Sequence, residues 1–168
     1  MKAAQDKQNL VFENVWEQGS EDIRRQVLAL WNDHGGPIGA AGEERAKQLV
    51  FVVLDDAKVV GVSTSLKVYV RQLRNYMFAV RLLIAPEYRI PGLTSKLLVT
   101  TRDYLESIHS RDAENPAIGI ITLVENPRLK AARNEAIWPA SRMVYIGNSA
   151  EGHHIRVYYF KGARIKSN

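Results

Sequence analysis

Residues 76–85 and 118–124 read as β-strands, and between them the apolar positions Leu93, Leu97, Leu98, Thr101, Tyr104, Leu105 and Ile108 recur with a helical period across residues 92–109. The polar loop 110–116 ends that helix. Residues 118–124 are almost continuously apolar, as expected of a strand buried on both faces and parallel to its neighbour. A strand, a helix and a second strand in this order point to an α/β (α+β) protein with a mixed sheet.

The remaining segments extend this pattern on both sides. Residues 10–16 read as a first strand. Ser20 followed by Glu21 and Asp22 then offers a helix cap with acidic residues in the positive first turn, and Ile23, Val27, Leu30 and Trp31 complete an amphipathic stripe. Gly35, Gly36 and Pro37 stop this helix, and residues 35–42 read as a loop before a short helix around 43–47. Residues 49–54 and Lys58–Val70 flank the turn Asp55, Asp56 and Ala57, which makes a hairpin. A second turn at 72–75 leads into strand 76–85. Asn126 and Pro127 supply a cap and a first-turn proline for a helix carrying Leu129, Ala132 and Ala136. Residues 142–146 and 154–160 read as two last strands.

The chain has 168 residues, 46% of them apolar, enough to bury one continuous core. No internal repeat or low-complexity tract divides it. One domain over 10–168 is therefore expected, preceded by a flexible N-terminus, 1–9. The apolar stretches 49–54 and 79–85 fall far short of the ~20 residues of a bilayer span. The first nine residues have no apolar core segment, so no secretory signal is read and a cytoplasmic protein is expected. With no cysteine, disulfides, thiolate nucleophiles and cysteine-ligated metal centres are excluded. His34, His109, His153 and His154 are not spaced with carboxylates as ligands, and no metal is expected. The net charge of +5 favours anionic partners such as nucleotide cofactors, acidic carrier proteins or nucleic acid. The basic residues are dispersed and carry no nucleic-acid motif, so nucleic acid is the weakest of these.

The segment that carries chemistry is 81–98: an apolar strand, then Pro86, Tyr88, Arg89, Ile90, Pro91, Gly92, Leu93, Thr94 and Ser95, then a helix. Such a turn presents unpaired backbone N–H groups at the positive end of a helix dipole, a site suited to phosphate oxygens. Glycine is needed where a ligand approaches the backbone. The structural alternative is that Pro91 and Gly92 form only a connecting turn.

These residues resemble the signature of the GNAT (GCN5-related N-acetyltransferase) superfamily, in which an apolar strand, a proline and an aromatic–arginine pair precede Arg/Gln-x-x-Gly-x-Gly/Ala. Arg89 to Leu93 match, and Thr94 replaces the final small residue. The resemblance implies an acyl-CoA N-acyltransferase fold: about seven strands, a splay between the fourth and fifth, and about four flanking helices. It implies acetyl-CoA or another acyl-CoA as cofactor, with its pyrophosphate at Arg89, Ile90, Gly92, Leu93, Thr94 and Ser95. Leu83 and Ile84 would pair with the pantetheine arm. The Thr94 and Ser95 hydroxyls can replace a lost backbone contact.

Asn126 matches a second position of the family and is read both as a cofactor contact and as a helix cap. The family's tyrosine acid has no counterpart, because its place falls at Arg133. Arg133 could stabilise the leaving thiolate, water could protonate it, or activity could be lost. No carboxylate base stands out, and Glu125 and Glu13 are the candidates. Arg81 and Tyr76 are candidate acceptor-binding residues on the basic, aromatic hairpin that also carries Lys67, Tyr69, Arg71 and Arg74. That hairpin could receive an anionic acceptor or acidic carrier protein, or it could be a strand edge guarded by cations.

The resemblance implies an enzyme that moves an acyl group from CoA to an amine of a small molecule or peptide by direct attack. Two alternatives stay open: a synthase of acyl-amino acids or acyl-homoserine lactones that takes its chain from an acyl-carrier protein, and a non-catalytic acyl-CoA- or protein-binding module. A homodimer is among the expected assemblies.

Overall fold

The computed structural model describes residues 9–166. The segment expected to be flexible, 1–9, therefore lies outside the described residues except for Asn9. The elements are β1 (Val11–Asn14), α1 (Glu21–His34), α2 (Gly39–Ala46), β2 (Leu49–Asp55), β3 (Lys58–Val70), β4 (Asn75–Ile84), α3 (Leu93–Ile108), β5 (Ala117–Val124), α4 (Pro127–Ala132), β6 (Val144–Asn148) and β7 (His154–Tyr159). Their order is the one read from the sequence. The seven strands form one mixed sheet in the order β1-β2-β3-β4-β5-β7-β6, with β4 and β5 parallel. Among the described residues no helix is long and apolar enough to cross a membrane.

Several boundaries differ from the sequence reading for local reasons. The second helix starts at Gly39, whose φ of +59° turns the chain into it, so 39–42 is helical and not loop. α4 stops at Ala132: Arg133 leaves the helical region with φ −129° and ψ 62°, and Ala136 lies beyond the helix. β6 begins at Val144 and not at 142, because Arg142 has a φ of +61°.

The described residues form two compact units, the first comprising residues 9–65 with Leu82–Thr101 and the second Leu66–Arg81 with residues 102–166. In the first, α1 buries Ile23, Val27, Leu30 and Trp31, the stripe expected from its period. Ser20 Oγ caps it by accepting from the Ile23 amide at 3.2 Å. β2 is buried from Leu49 to Leu54, and β3 from Val59 to Ser65, so neither strand alternates. Inside this layer the Ser63 and Thr101 hydroxyls are hydrogen-bonded, whereas the buried Ser65 Oγ has no partner. A register shift lies between Leu49 and Phe51, and the Phe51 amide donates to Ser63 Oγ at 3.1 Å. Thr101 Oγ1 of α3 stands 2.8 Å from Ser63 Oγ and 2.8 Å from the Leu97 carbonyl.

In the second unit, Met77, Ile118 and Val157 form a buried cluster, with Val70, Leu73, Ile121 and Ala163 packed against it. β5 pairs with β7 in an unbroken antiparallel ladder from Gly119↔Tyr159 to Val124↔His154. Gly119 is required there, since a Cβ would lie 2.1 Å from the Tyr158 carbonyl oxygen.

Candidate cofactor site

The turn after β4 is built by a short series of hydrogen bonds. The Ala85 amide donates to the Val60 carbonyl at 2.9 Å, which fixes the end of β4 on β3. Residues Pro86–Tyr88 form one 3-10 turn, and the Ile90 amide returns to the Tyr88 carbonyl at 2.8 Å. The Tyr88 ring is buried and its hydroxyl donates to the Asp55 carboxylate at the end of β2. That bond, together with burial, pushes the Tyr88 pKa up to about 12. Tyr88 is thus an anchor of the turn, held in its protonated form at neutral pH.

Gly92 has a φ of +83°, a left-handed conformation that glycine adopts without strain. No atom lies within 4 Å of the position a Cβ would take, so this face of the turn is open. α3 begins at the next residue. The Lys96 amide donates to the Gly92 carbonyl at 2.9 Å and the Leu93 amide to the Ile90 carbonyl at 3.3 Å. Among the described residues, no acceptor stands against the amides of Gly92, Thr94 or Ser95. Leu93 is buried and anchors the helix start, while Pro91, Gly92 and Thr94 are exposed and Ser95 is half-buried. Three free amides at the start of a four-turn helix can bind an oxyanion. Two exposed cations stand on the same segment, Arg89 and Lys96, the latter 4.7 Å from the Phe12 ring centroid.

Arg89 has a second role that its motif does not reveal. Its Nε donates to the Ile84 carbonyl at 3.1 Å. The Ile84 carbonyl is therefore engaged, and its side chain is buried; Leu83, half-buried, is the freer of the two expected pantetheine-pairing residues. The parallel ladder between β4 and β5 is short, ending at Ala79↔Ile121. Just beyond it, Thr122 Oγ1 donates to the Val80 carbonyl at 3.0 Å, a side chain occupying the place of the next rung.

The remaining predicted residues lie in the second unit. Glu125 and Asn126 are exposed at the end of β5 and line an open depression with Pro127 and Arg128. The Asn126 carboxamide oxygen accepts from the Arg128 and Leu129 amides at 2.9 and 3.3 Å, so it caps α4, one of its two expected roles. Arg133 follows α4 with a half-exposed side chain whose Nε is 4.0 Å from Glu135. Tyr76 and Arg81 share β4 but stand five residues apart, hence on opposite faces and ~17 Å from each other. They do not form a single acceptor site. Lys67 pairs with Asp112 and lies 5.5 Å from the Tyr76 ring centroid, so part of the basic hairpin is neutralised within the fold.

The sequence reading missed Arg156. This β7 residue is 1% exposed. Its guanidinium lies 4.3 Å from the Trp138 ring centroid and donates to the Arg133 and Ala136 carbonyls at 3.2 and 3.4 Å. Burial lowers its pKa, with Glu135 opposing the shift. In sequence, only an arginine inside the apolar run 155–160 hinted at it.

No protein-family model matches the chain, and no curated protein matches it in sequence. Solved structures match its fold. An acetyltransferase of the GNAT family from Streptococcus pneumoniae superposes with a TM-score of 0.60 at 12% identity, covering 91% of this chain and 100% of that one. Ribosomal-protein-S5-alanine acetyltransferase from Vibrio fischeri gives 0.61 at 14% identity, over 95% and 97%. Arabidopsis thaliana NAA60 in complex with acetyl-CoA gives 0.61 at 12% identity, over 90% and 99%. With its mixed seven-stranded sheet, parallel β4–β5 pair and helix-opening turn, the chain has the GNAT-type acyl-CoA N-acyltransferase fold.

Proposed function

We propose that the chain binds acetyl-CoA or a longer acyl-CoA and transfers the acyl group to an amine. The observation that carries this reading is the turn itself: Gly92 in a left-handed conformation with open space where a side chain would stand, followed by the free amides of Thr94 and Ser95. A pyrophosphate placed there gains backbone hydrogen bonds, the helix dipole and the nearby Arg89 charge. The fold neighbours named as acetyltransferases, one of them in complex with acetyl-CoA, support the same cofactor class. In the proposed reaction the acceptor nitrogen attacks the thioester carbonyl, the C–S bond breaks, and the CoA thiolate takes a proton. Positioning supplies most of the rate. Glu125 is the proposed proton acceptor and Arg133 the proposed thiolate stabiliser.

Calorimetric titration of the full chain with acetyl-CoA tests this reading. Binding that weakens at least tenfold in Arg89→Glu, with the folded state intact by circular dichroism, is the expected result. Equal affinity in both proteins would remove the cofactor assignment.

A second reading has its own observation. α4 ends at Ala132, so Arg133, which stands where the family's tyrosine acid would fall, lies outside the helix with its side chain beside the Glu135 carboxylate. This favours a non-catalytic acyl-CoA-binding module. Free CoA release during incubation with a panel of amines separates the two: CoA binding without release supports the module. Acyl-carrier protein as donor, in place of CoA, is tested by incubating the same amines with acylated carrier protein and following release of the carrier's thiol.

A further inference from the structure

Arg156 has no part in the transfer chemistry just described, and its surroundings are unusual for a buried cation. Among the described residues no carboxylate lies within ion-pair distance of it. Glu135, whose field favours the Arg156 charge, points its carboxylate to Arg133. The two carbonyl contacts, at 3.2 and 3.4 Å, lie at and beyond the long end of the ~2.7–3.2 Å range of N–H···O bonds, and Nε has no partner at all. A guanidinium taken out of water without a counter-charge is expensive unless an anion compensates it.

A second unpartnered nitrogen stands beside it. His154 lies two positions earlier on β7 and projects to the same face, and its Nδ1 is buried without a partner. Tyr145, directly opposite Arg156 on β6, stands over both: its ring centroid is 5.2 Å from the imidazole and 6.0 Å from the guanidinium carbon. Residues two apart on a strand are about 7 Å from each other, a span that the two oxygens of a carboxylate can bridge with hydrogen bonds of ordinary length. A phosphate would bring more charge and more oxygens than these two donors serve.

We infer that Arg156 and His154 form a subsite for a carboxylate, roofed by Trp138 and the segment after α4, and that the amine acceptor is a molecule bearing that carboxylate, such as an amino acid. The word acceptor rests on the acyl-transfer reading above; the carboxylate site does not. An incoming carboxylate takes over Nε and competes with the long carbonyl contacts to Arg133 and Ala136. Because Trp138 lies against the guanidinium, occupancy changes its fluorescence.

The test titrates the full chain, without CoA, with amino acids and the matching C-terminal amides, read by calorimetry and by tryptophan emission. At least one amino acid is expected to bind tenfold or more tightly than its amide. That preference is expected to vanish in Arg156→Gln and to fall at least threefold in His154→Gln. Should Arg156→Gln fail to fold, His154→Gln and Arg156→Lys carry the test. The inference is overturned if no amino acid binds, if acids and amides bind equally, or if folded variants keep the full preference. Carboxylate binding in a protein that fails to bind acetyl-CoA would sink the acyl-transfer reading alone. Transfer to amines that ignores the carboxylate would sink this one alone.

Discussion

The hydroxyl of Tyr88 donates to the carboxylate of Asp55, thirty-three residues earlier, and so ties the turn after β4 to the end of β2. A folded-state pKa raised from 10 to about 12 means that the stabilisation is complete below pH 10, falls as pH rises through the window from 10 to 12, and is gone above it. Tyr88→Phe is expected to cost about 2 kcal/mol at pH 7 by urea denaturation. The gap between the two proteins should close as pH climbs from 10 to 12. A gap that stays constant across that window would show that the hydroxyl does not hold its proton for Asp55.

At Gly92 the expected cost of a side chain is conformational. Alanine there faces no neighbour within 4 Å but must adopt a φ of +83°, which costs about 1–2 kcal/mol. Under the proposed function the same methyl group also stands where the cofactor approaches. Gly92→Ala should therefore lose acetyl-CoA affinity by more than its stability loss accounts for, measured by calorimetry at a temperature where both proteins are fully folded. Unchanged affinity would mean that the open face of the turn is not the binding face.

Gly119 presents the opposite case. A Cβ at this position would overlap the Tyr158 carbonyl oxygen and come within 3.0 Å of the Tyr159 Cα, so backbone must move. Gly119→Ala is expected to lower stability by about 2–3 kcal/mol by overpacking, with the loss seen as a lower denaturation midpoint at an unchanged slope. A neutral result would contradict the close approach of β5 and β7 at this residue.

For the proposed chemistry, Arg133→Ala and Glu125→Gln are each expected to lower the rate of CoA release about tenfold or more while leaving acetyl-CoA affinity within twofold. Steady-state assay and calorimetry on the same preparations check both numbers. If neither variant changes the rate, the proton-transfer and thiolate roles belong elsewhere in the molecule.

Much of this fold was legible because its signals are local. The cap at Ser20, the stripe Ile23, Val27, Leu30 and Trp31, and the almost continuous apolar run of β5 each follow from neighbours in sequence, although the burial expected on both faces of β5 holds from Ala117 to Ile120 and at Val124 but not at Leu123. What was not legible depended on distant partners. Nothing near Tyr88 in the chain reveals Asp55, and although Ile84 is only five residues from Arg89, its carbonyl meets the Arg89 Nε only once the turn between them has formed. The early end of α4 was hidden because Ala132 and Ala136 continue a helical spacing, whereas Arg156, more than twenty residues later, draws the Arg133 carbonyl out of it. The acceptor side was the least legible part, since a histidine and an arginine spaced two apart mean something only once β6 and the segment before it are folded over them.

The burial of β2 and β3 on both faces has a consequence for how they find each other. Where buried and exposed residues alternate, a one-residue slip exposes the core and is punished; β2 from Leu49 to Leu54 and β3 from Val59 to Ser65, buried on both faces, lack that penalty. Alignment must then come from fixed marks. One is the tight reversal at Asp56, whose φ of +52° sets Asp55 against Lys58. The other is the Ser63 hydroxyl, which receives the amide of Phe51 where the ladder shifts. One backbone reversal and one hydroxyl thus fix the alignment of two strands that burial alone would leave free to slide.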